Sequence, residues 1–222
     1  MGSDDLHKKR QSQDASGFKR KHQATKEPLA RILIVCEDEK SGTYYLQELV
    51  RDFGLNRRVK VLPSESGCAP KSVLDSATKL YKHQKASGDV YDRVYCVFDR
   101  DKPNDFSDVV QKIKHSKPKN TYFAITTTPC FEFWFLLHFS PSSRPYGVNQ
   151  NKTPDEQVNS DLKKIWADYD KGKRGFYNRA KNDLVLAISN AKKLALDNAQ
   201  TDSNNPQTNM HELIEYLQSI KR

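Results

Sequence analysis

The chain has 222 residues, and because domains run to roughly 150 residues, it has room for one domain or for one core with an appended helical portion. Hydrophobic residues make up 36% and charged residues 29%, which excludes a protein that is disordered throughout. The longest apolar run, 131–139, falls far short of the roughly 20 residues of a membrane-spanning helix, so we expect no membrane partner. Lysine and arginine number 37 against 28 acids, and this formal charge of +9 suits a polyanion such as DNA or RNA.

Residues 1–30 lack apolar periodicity and contain two basic clusters, at 8–10 and 19–21. They are predicted to form a basic flexible arm that either contacts phosphate groups or is simply solvated. Because the start of the sequence offers no apolar stretch for a secretory signal, the expected compartment is the cytoplasm. The four cysteines are irregularly spaced and form no CxxC pair, so neither a structural zinc site nor a disulfide framework is expected.

Short apolar strands alternate with amphipathic helices from residue 31 onward. Strands are predicted at 31–36, 58–62, 93–98 and 120–126. Helices are predicted between them at 43–53, 71–85 and 106–115. This alternation predicts an α/β fold with a mostly parallel four-stranded sheet that is flanked by helices and joined by right-handed crossovers.

The character of the sequence changes after Pro129. The apolar run 131–139 is predicted to be helical and 140–154 to be a loop. Further helices are predicted at 156–170, 177–199 and 209–220, the last with Asn209 and Glu212 at the spacing of a capping box. The predicted organisation is therefore the arm 1–30, an α/β core 31–139 and a helical C-terminal portion 140–222 that packs on the core.

Acidic residues directly follow two of the predicted strands. Glu37 comes after the first strand, and Asp99 and Asp101 come after the third. In an open parallel sheet the ligand site lies at the carboxyl ends of the strands, and residues i and i+2 of an extended segment point to the same side. We expect these three carboxylates to converge on one divalent cation, Mg²⁺ or Mn²⁺, because they would otherwise repel one another. Glu37 either ligates the metal or moves a proton as general base or acid. The structural alternative for each acid is a helix N-cap.

A glutamate at the end of the first strand and Asp-x-Asp at the end of a later one resemble the signature of Toprim domains, which occur in topoisomerases, primases and overcoming-lysogenization-defect nucleases. More closely, the sequence resembles the RloB family of Toprim-related proteins in segments 31–37 (RILIVCE), 97–101 (VFDRD), 129–134 (PCFEFW), 137–139 (LHF) and 205–208 (NPQT). The resemblance runs from residue 31 to the C-terminus and implies a Toprim-like core. Asp38 stands where the family has a glycine after the glutamate, and Thr128 where it has an asparagine.

The expected site takes in further residues beside the three carboxylates. Gly42 stands where the family carries another acid, so either Glu39 or Asp38 is the ligand for a second metal or the site holds one metal. Glu132 is assigned either a metal-site or water-orienting role, or that of a first-turn acid favoured by the helix dipole. Lys40 is a candidate for stabilising developing phosphate charge, and its structural alternative is an exposed lysine.

The segment 169–181 interleaves cations with aromatic residues and glycines. That composition fits phosphate contacts and base stacking, whereas the alternative is a solvated loop. The predicted nucleic-acid contacts, placed outside the metal site, are Lys171, Lys173, Arg174, Arg179 and Lys181.

Together these features predict a nuclease dependent on Mg²⁺ or Mn²⁺ that hydrolyses phosphodiesters in DNA or RNA. The resemblance implies a phage-defence setting and an ATPase partner protein, and the chain itself carries no GxxxxGK[ST] loop. Two alternatives are open. One is a nucleic-acid-binding or regulatory subunit whose Toprim-like site has decayed, and the other is a nucleotide-sugar transferase that uses Asp-x-Asp. Metal-dependent turnover distinguishes the nuclease from the decayed subunit.

Overall fold

A computed structural model of the protein describes residues 29–100, 103–147 and 151–221, and gives the backbone but not the side chains of 103–105. Nearly all of the predicted arm 1–30 and the predicted ligand Asp101 therefore lie outside the described residues.

A five-stranded sheet forms the centre of the fold, with the strand order β2-β1-β3-β4-β5. Its strands are β1 (Ile32–Cys36), β2 (Val59–Pro63), β3 (Arg93–Asp99), β4 (Tyr122–Thr128) and β5 (Gln207–Thr208). The first four strands pair in parallel, which confirms the predicted α/β class, whereas β5 pairs antiparallel with β4. The predicted count of four strands is therefore wrong, because a strand of two residues carries no periodicity that could reveal it.

Helices cover both faces of the sheet. Those of the core are α1 (Ser41–Asp52), α2 (Pro70–Ala86), α3 (Pro103–His115) and the short α4 (Glu132–Leu136). Those that follow are α5 (Pro154–Ile165), α6 (Phe176–Ala180), α7 (Leu184–Thr201) and α8 (Met210–Ser219), with a 3₁₀ turn over Lys181–Asp183 before α7. No helix in the described part of the chain is both long enough and apolar enough to cross a bilayer.

The alternation of side chains along β1 divides the interior into two hydrophobic clusters. All five residues of β1 are buried, as expected for a central strand of a parallel sheet. Ile32, Ile34 and Cys36 face a large cluster that includes α1 and residues of α5, α7 and α8. Leu33 and Val35 face a smaller cluster under α2 and α3. The C-terminal helices thus share one core with the sheet.

Helix boundaries differ from the predictions where tertiary contacts compete with local pattern. The run 131–139 is α-helical only over Glu132–Leu136. The predicted helix 156–170 ends at Ile165, and Trp166 leaves it with φ −132° and ψ 87°, packing its ring 4.9 Å from that of Phe176. The predicted helix 177–199 is interrupted by the 3₁₀ turn, so it forms two helices instead of one.

The predicted capping box at Asn209 is wrong as well. Its side chain accepts a hydrogen bond from the backbone N–H of Thr126 at 2.7 Å and donates one to the carbonyl of Ala124 at 3.1 Å. No side-chain cap is made at this end of α8. Asn209 therefore extends the pairing of β4 beyond β5 instead of starting the helix.

Candidate active site

Glu37 and Asp99 lie together at the carboxyl edge of the sheet. The parallel register pairs Cys36 with Val97, so β1 and β3 end side by side. The backbone N–H of Glu37 donates to the carbonyl of Val97 at 2.9 Å, which continues the ladder by one residue. The carboxylate of Glu37 then accepts a hydrogen bond from the backbone N–H of Asp99 at 2.7 Å. The structure thus brings together two of the three predicted carboxylates.

Asp38 is held by the first turn of α1. Its carboxylate accepts hydrogen bonds from the backbone N–H groups of Ser41 at 3.0 Å and Gly42 at 3.2 Å. Its carbonyl accepts a hydrogen bond from the Thr43 hydroxyl at 2.6 Å. A side chain on Gly42 would meet the Phe131 ring at 3.3 Å, so the helix start lies close against the segment after β4. Asp38 therefore satisfies backbone donors that a helix N-terminus would leave unpaired.

Glu132 is fully buried beside this helix start. Its Oε1 accepts hydrogen bonds from the hydroxyls of Ser41 at 2.7 Å and Tyr169 at 3.0 Å, and the ammonium of Lys171 lies 3.4 Å away. Its Oε2 is buried and finds no hydrogen-bond partner among the described residues. Glu132 thus connects α1, α4 and the loop between α5 and α6.

A pocket of about 200 Å³ opens at this edge of the sheet, and we name it the carboxylate pocket. Four acids line it, namely Glu37, Asp38, Asp99 and Asp155. The exposed Cys68 and apolar side chains complete its lining. Lys171 is the one basic side chain among its described lining residues. The described lining therefore carries more potential negative charge than the single ammonium can balance.

Burial and mutual repulsion perturb these acids. Burial, followed by the charges of Glu37 and Glu132, raises the pKa of Asp99 well above its ordinary value. Burial, followed by the charge of Glu132, also raises the pKa of Asp38. Burial alone would lower the pKa of Lys171, but the neighbouring acids, Glu132 foremost, raise it, so the ammonium stays charged at neutral pH.

These residues fit a hard divalent cation by the chemistry of their donors. Carboxylate oxygens are the preferred ligands of Mg²⁺, and an added positive charge would relieve the repulsion that raises the pKa of Asp99. Within 29–100, 103–147 and 151–221, no group of three or more His, Cys, Asp or Glu side chains is arranged to hold a metal ion. The predicted third carboxylate, Asp101, lies outside these ranges.

Glu39 and Lys40 do not line the carboxylate pocket. Both are exposed on the turn between β1 and α1. Lys40 is the residue that precedes α1, and its side chain makes no capping hydrogen bond. Lys40 is thus an exposed lysine, which is the structural alternative for this residue. Asp38, and not Glu39, lines the pocket together with Glu37.

Lys171 occupies a different place from the one predicted. The sequence predicts that Lys171, like the other cations of 169–181, contacts phosphate outside the metal site, but its side chain lines the carboxylate pocket. The reason is the loop between α5 and α6, which turns inward at Trp166 and brings Tyr169 onto Glu132. That contact carries Lys171 to within 3.4 Å of the same carboxylate.

The remaining four cations of the segment are exposed and partnered within the chain. Arg174 lies 3.8 Å from the ring centroid of Tyr44, and Arg179 lies 4.6 Å from that of Trp166. Lys173 lies 4.0 Å from Asp170, and Lys181 lies 3.2 Å from Asp52. The segment is therefore an ordered loop and short helix that run beside α1, with their charged groups facing solvent.

Three residues of the site were missed from the sequence. Ser41 carried a signal, because it lies two residues after the last of the acids that follow β1. Tyr169 begins the segment 169–181, but nothing in that pattern indicated its contact with Glu132, and Asp155 carried no signal, since each reaches the site through the fold of the C-terminal portion.

A family profile matches most of the chain. No curated protein and no solved structure matches the chain. The profile of the RloB-like proteins matches residues 32–217, which include every strand of the sheet and all lining residues of the carboxylate pocket. The chain therefore belongs to the RloB-like protein family.

Proposed function

We propose that the protein is a metal-dependent nuclease with a Toprim-like core and that the carboxylate pocket is its active site. The observation that carries the proposal is the meeting of Glu37 and Asp99, 2.7 Å apart from carboxylate oxygen to backbone nitrogen, at the carboxyl edge of a parallel sheet. Ligand sites of open parallel sheets lie at this edge. An acid-lined pocket there suits a cation, and the surplus of basic residues suits a polyanionic substrate.

Glu37 and Asp99 would hold the metal, Mg²⁺ or Mn²⁺, together with Asp101 in the sequence pattern Asp-x-Asp. A divalent ion held by these residues would polarise a phosphate and lower the pKa of the water bound to it. Lys171 supplies a fixed positive charge at the mouth of the same pocket, where it attracts a phosphate group and offsets developing charge. Glu132 holds Lys171 in place and is too deeply buried to meet the substrate itself.

The non-catalytic alternative is a nucleic-acid-binding or regulatory subunit. It is favoured by one observation: Asp38, which stands where the family has a glycine, uses its carboxylate to accept hydrogen bonds from the backbone N–H groups of Ser41 and Gly42. The two functions differ in one measurable property, which is turnover that requires a divalent cation. We extend the nuclease proposal to a phage-defence role beside an ATPase partner, which rests on membership of the RloB-like family.

The test is cleavage of single-stranded and duplex DNA and RNA with Mg²⁺, with Mn²⁺ and with EDTA. We expect hydrolysis with either metal and none with EDTA, and loss of at least about 100-fold in Glu37→Gln and in Asp99→Asn, the scale of removing one electrostatic contact to the transition state. Asp75→Asn is the matched control, since Asp75 is exposed on α2 away from the pocket. Hydrolysis that persists in both site variants would reject the proposed site, and the absence of cleavage on every substrate would favour the subunit alternative.

A further inference from the structure

A second pocket, which we name the aromatic pocket, lies between α1 and the loop before α6. It has a volume of about 180 Å³, and a cavity of about 150 Å³ is large enough for a benzene ring. Six aromatic residues line it, and among them Tyr44 and Trp166 are partly exposed. Its floor is the stacked pair Phe135 and Phe176, whose ring centroids are 3.6 Å apart. The pocket therefore has the dimensions and the walls for one flat ring.

Positive charge surrounds these rings. Four cations line the aromatic pocket against two acids, Asp168 and Asp170. Two of the cations are guanidinium groups already stacked on rings, Arg174 on Tyr44 at 3.8 Å and Arg179 on Trp166 at 4.6 Å. Aromatic faces and guanidinium planes are the surfaces on which unpaired bases stack, and the cations suit the phosphate that each base carries.

The two pockets are neighbours that share a wall. Ser41 and Tyr169 line the aromatic pocket, and both donate hydrogen bonds to the buried Glu132. Lys171 lines both pockets and lies 3.4 Å from the same carboxylate. A nucleotide whose base enters the aromatic pocket would thus bring its phosphate to Lys171, at the mouth of the carboxylate pocket.

We propose that the aromatic pocket binds the base of one unpaired nucleotide next to the phosphodiester in the carboxylate pocket, so that the protein selects single strands over duplexes. The inference deepens the proposed nuclease function. It rests on that function for the presence of a phosphodiester in the carboxylate pocket. In a duplex each base is stacked and paired, and it reaches such a pocket only after being flipped out at a cost of a few kcal/mol. A single strand avoids that cost.

The test is binding of fluorescein-labelled oligo(dT) and oligo(U), and of the corresponding duplexes, measured by anisotropy in EDTA. Loss of the ring in Tyr44→Ala should weaken single-strand binding by about 5- to 150-fold, which is the effect of removing one stacking platform. Duplex binding should change by less than about twofold. Tyr44→Phe, which keeps the ring, should bind both forms as the wild type does.

Tyr216→Ala is the matched control. Tyr216 also stacks with an arginine, since Arg93 lies 3.9 Å from its ring centroid, but Arg93 begins β3 at the opposite end from Asp99. The Tyr216→Ala variant should bind single strands and duplexes with the affinity of the wild type. A second readout keeps the test decisive if Tyr44→Ala melts early: in the wild type, oligo(dT) should quench the fluorescence of Trp166 and the duplex should not, and Trp166→Phe should abolish this quenching.

The inference fails if Tyr44→Ala binds single strands normally, if it loses equal affinity for duplex, or if free uridine monophosphate competes as strongly as the oligonucleotide. Its failure is distinct from that of the nuclease. Selective loss in Tyr44→Ala without any metal-dependent cleavage would reject the nuclease and keep the single-strand site. Metal-dependent cleavage with unchanged binding in Tyr44→Ala would keep the nuclease and reject the single-strand site.

Discussion

The carboxylate of Glu37 accepts a hydrogen bond from the backbone N–H of Asp99 at 2.7 Å, across a separation of 62 residues. The contact joins the ends of two adjacent strands and directs one acid toward the segment that carries the other. It also orders the first residues after β1 and β3, which are the residues that would meet a cation. The geometry of the site is therefore set by the register of the sheet.

Replacing Asp99 should stabilise the protein in the absence of metal. The pKa of Asp99 in the folded protein is raised above its ordinary value of 3.8. The protonated side chain therefore contributes stability at low pH, and this contribution is lost as the pH rises from 3.8 through the pKa of the folded state. At neutral pH, Asp99→Asn removes the cost of burying a charged carboxylate and its repulsion with Glu37 and Glu132, and a gain of about 1 kcal/mol would raise Tm by about 2–4 °C. Thermal melts in EDTA test this, with Asp75→Asn as the control. A lower Tm for Asp99→Asn would contradict it.

Divalent cations should raise the Tm of the wild type and leave the Tm of Asp99→Asn unchanged. A ligand that binds only the folded state at 100 times its Kd contributes about 2.7 kcal/mol. We therefore expect Tm to rise with added Mn²⁺ in the wild type and in Asp75→Asn, and to stay constant in Asp99→Asn and Glu37→Gln. An equal rise in all four proteins would place the cation elsewhere.

Glu132→Ala should destabilise the fold and loosen the loop that carries Lys171. The substitution leaves the hydroxyls of Ser41 and Tyr169 without their shared acceptor. A hydrogen bond to a charged group is worth about 1.5–3 kcal/mol, so the free energy of unfolding should fall by at least that amount. Urea denaturation measures it. Tyr169→Phe, which removes one of these bonds, should cost less than Glu132→Ala, and an equal cost would show that Tyr169 is the main anchor.

Acid should destabilise the protein through His138. This residue is fully buried, its Nε2 lies 3.1 Å from the Tyr45 hydroxyl, and burial lowers its pKa to about 4. The unfolded chain, with a histidine pKa near 6.5, binds the proton first, so stability is lost as the pH falls from about 6.5 to about 4. The loss approaches about 3 kcal/mol. His138→Gln should show a shallower pH dependence of unfolding over this range, and parallel curves would refute the assignment.

Neutralising the exposed cations beside α1 should reduce the salt dependence of nucleic-acid binding. Each phosphate contact contributes about 0.9 to the slope of log affinity against log salt on duplex DNA and about 0.7 on single strands. The triple variant of Lys173, Arg174 and Arg179 to glutamine should therefore flatten the slope by up to about 2 on single strands. A triple variant of Lys71, Lys82 and Lys85, exposed on α2, is the control. Identical slopes for the wild type and the first variant would assign Lys173, Arg174 and Arg179 to solvated surface.

The sequence by itself determined the parallel sheet and the edge at which the site lies. The unbroken apolar run of β1 can be stable only where both faces of the strand are covered, and all five of its residues are indeed buried. The same logic placed Glu37 and Asp99 together, because adjacent parallel strands end at the same edge. These features depend on local periodicity, which a single sequence displays directly.

Tertiary structure alone decided how the C-terminal portion completes the site. Lys171 lies at the carboxylate pocket because Trp166 packs on Phe176 and ends its helix early, and Asn209 binds β4 instead of capping α8. In both cases a local preference of about 1 kcal/mol competes with aromatic burial or with a buried backbone donor that needs a partner. Such contacts join residues tens of positions apart, so their outcome depends on the packing of whole elements and leaves no periodic trace in the sequence.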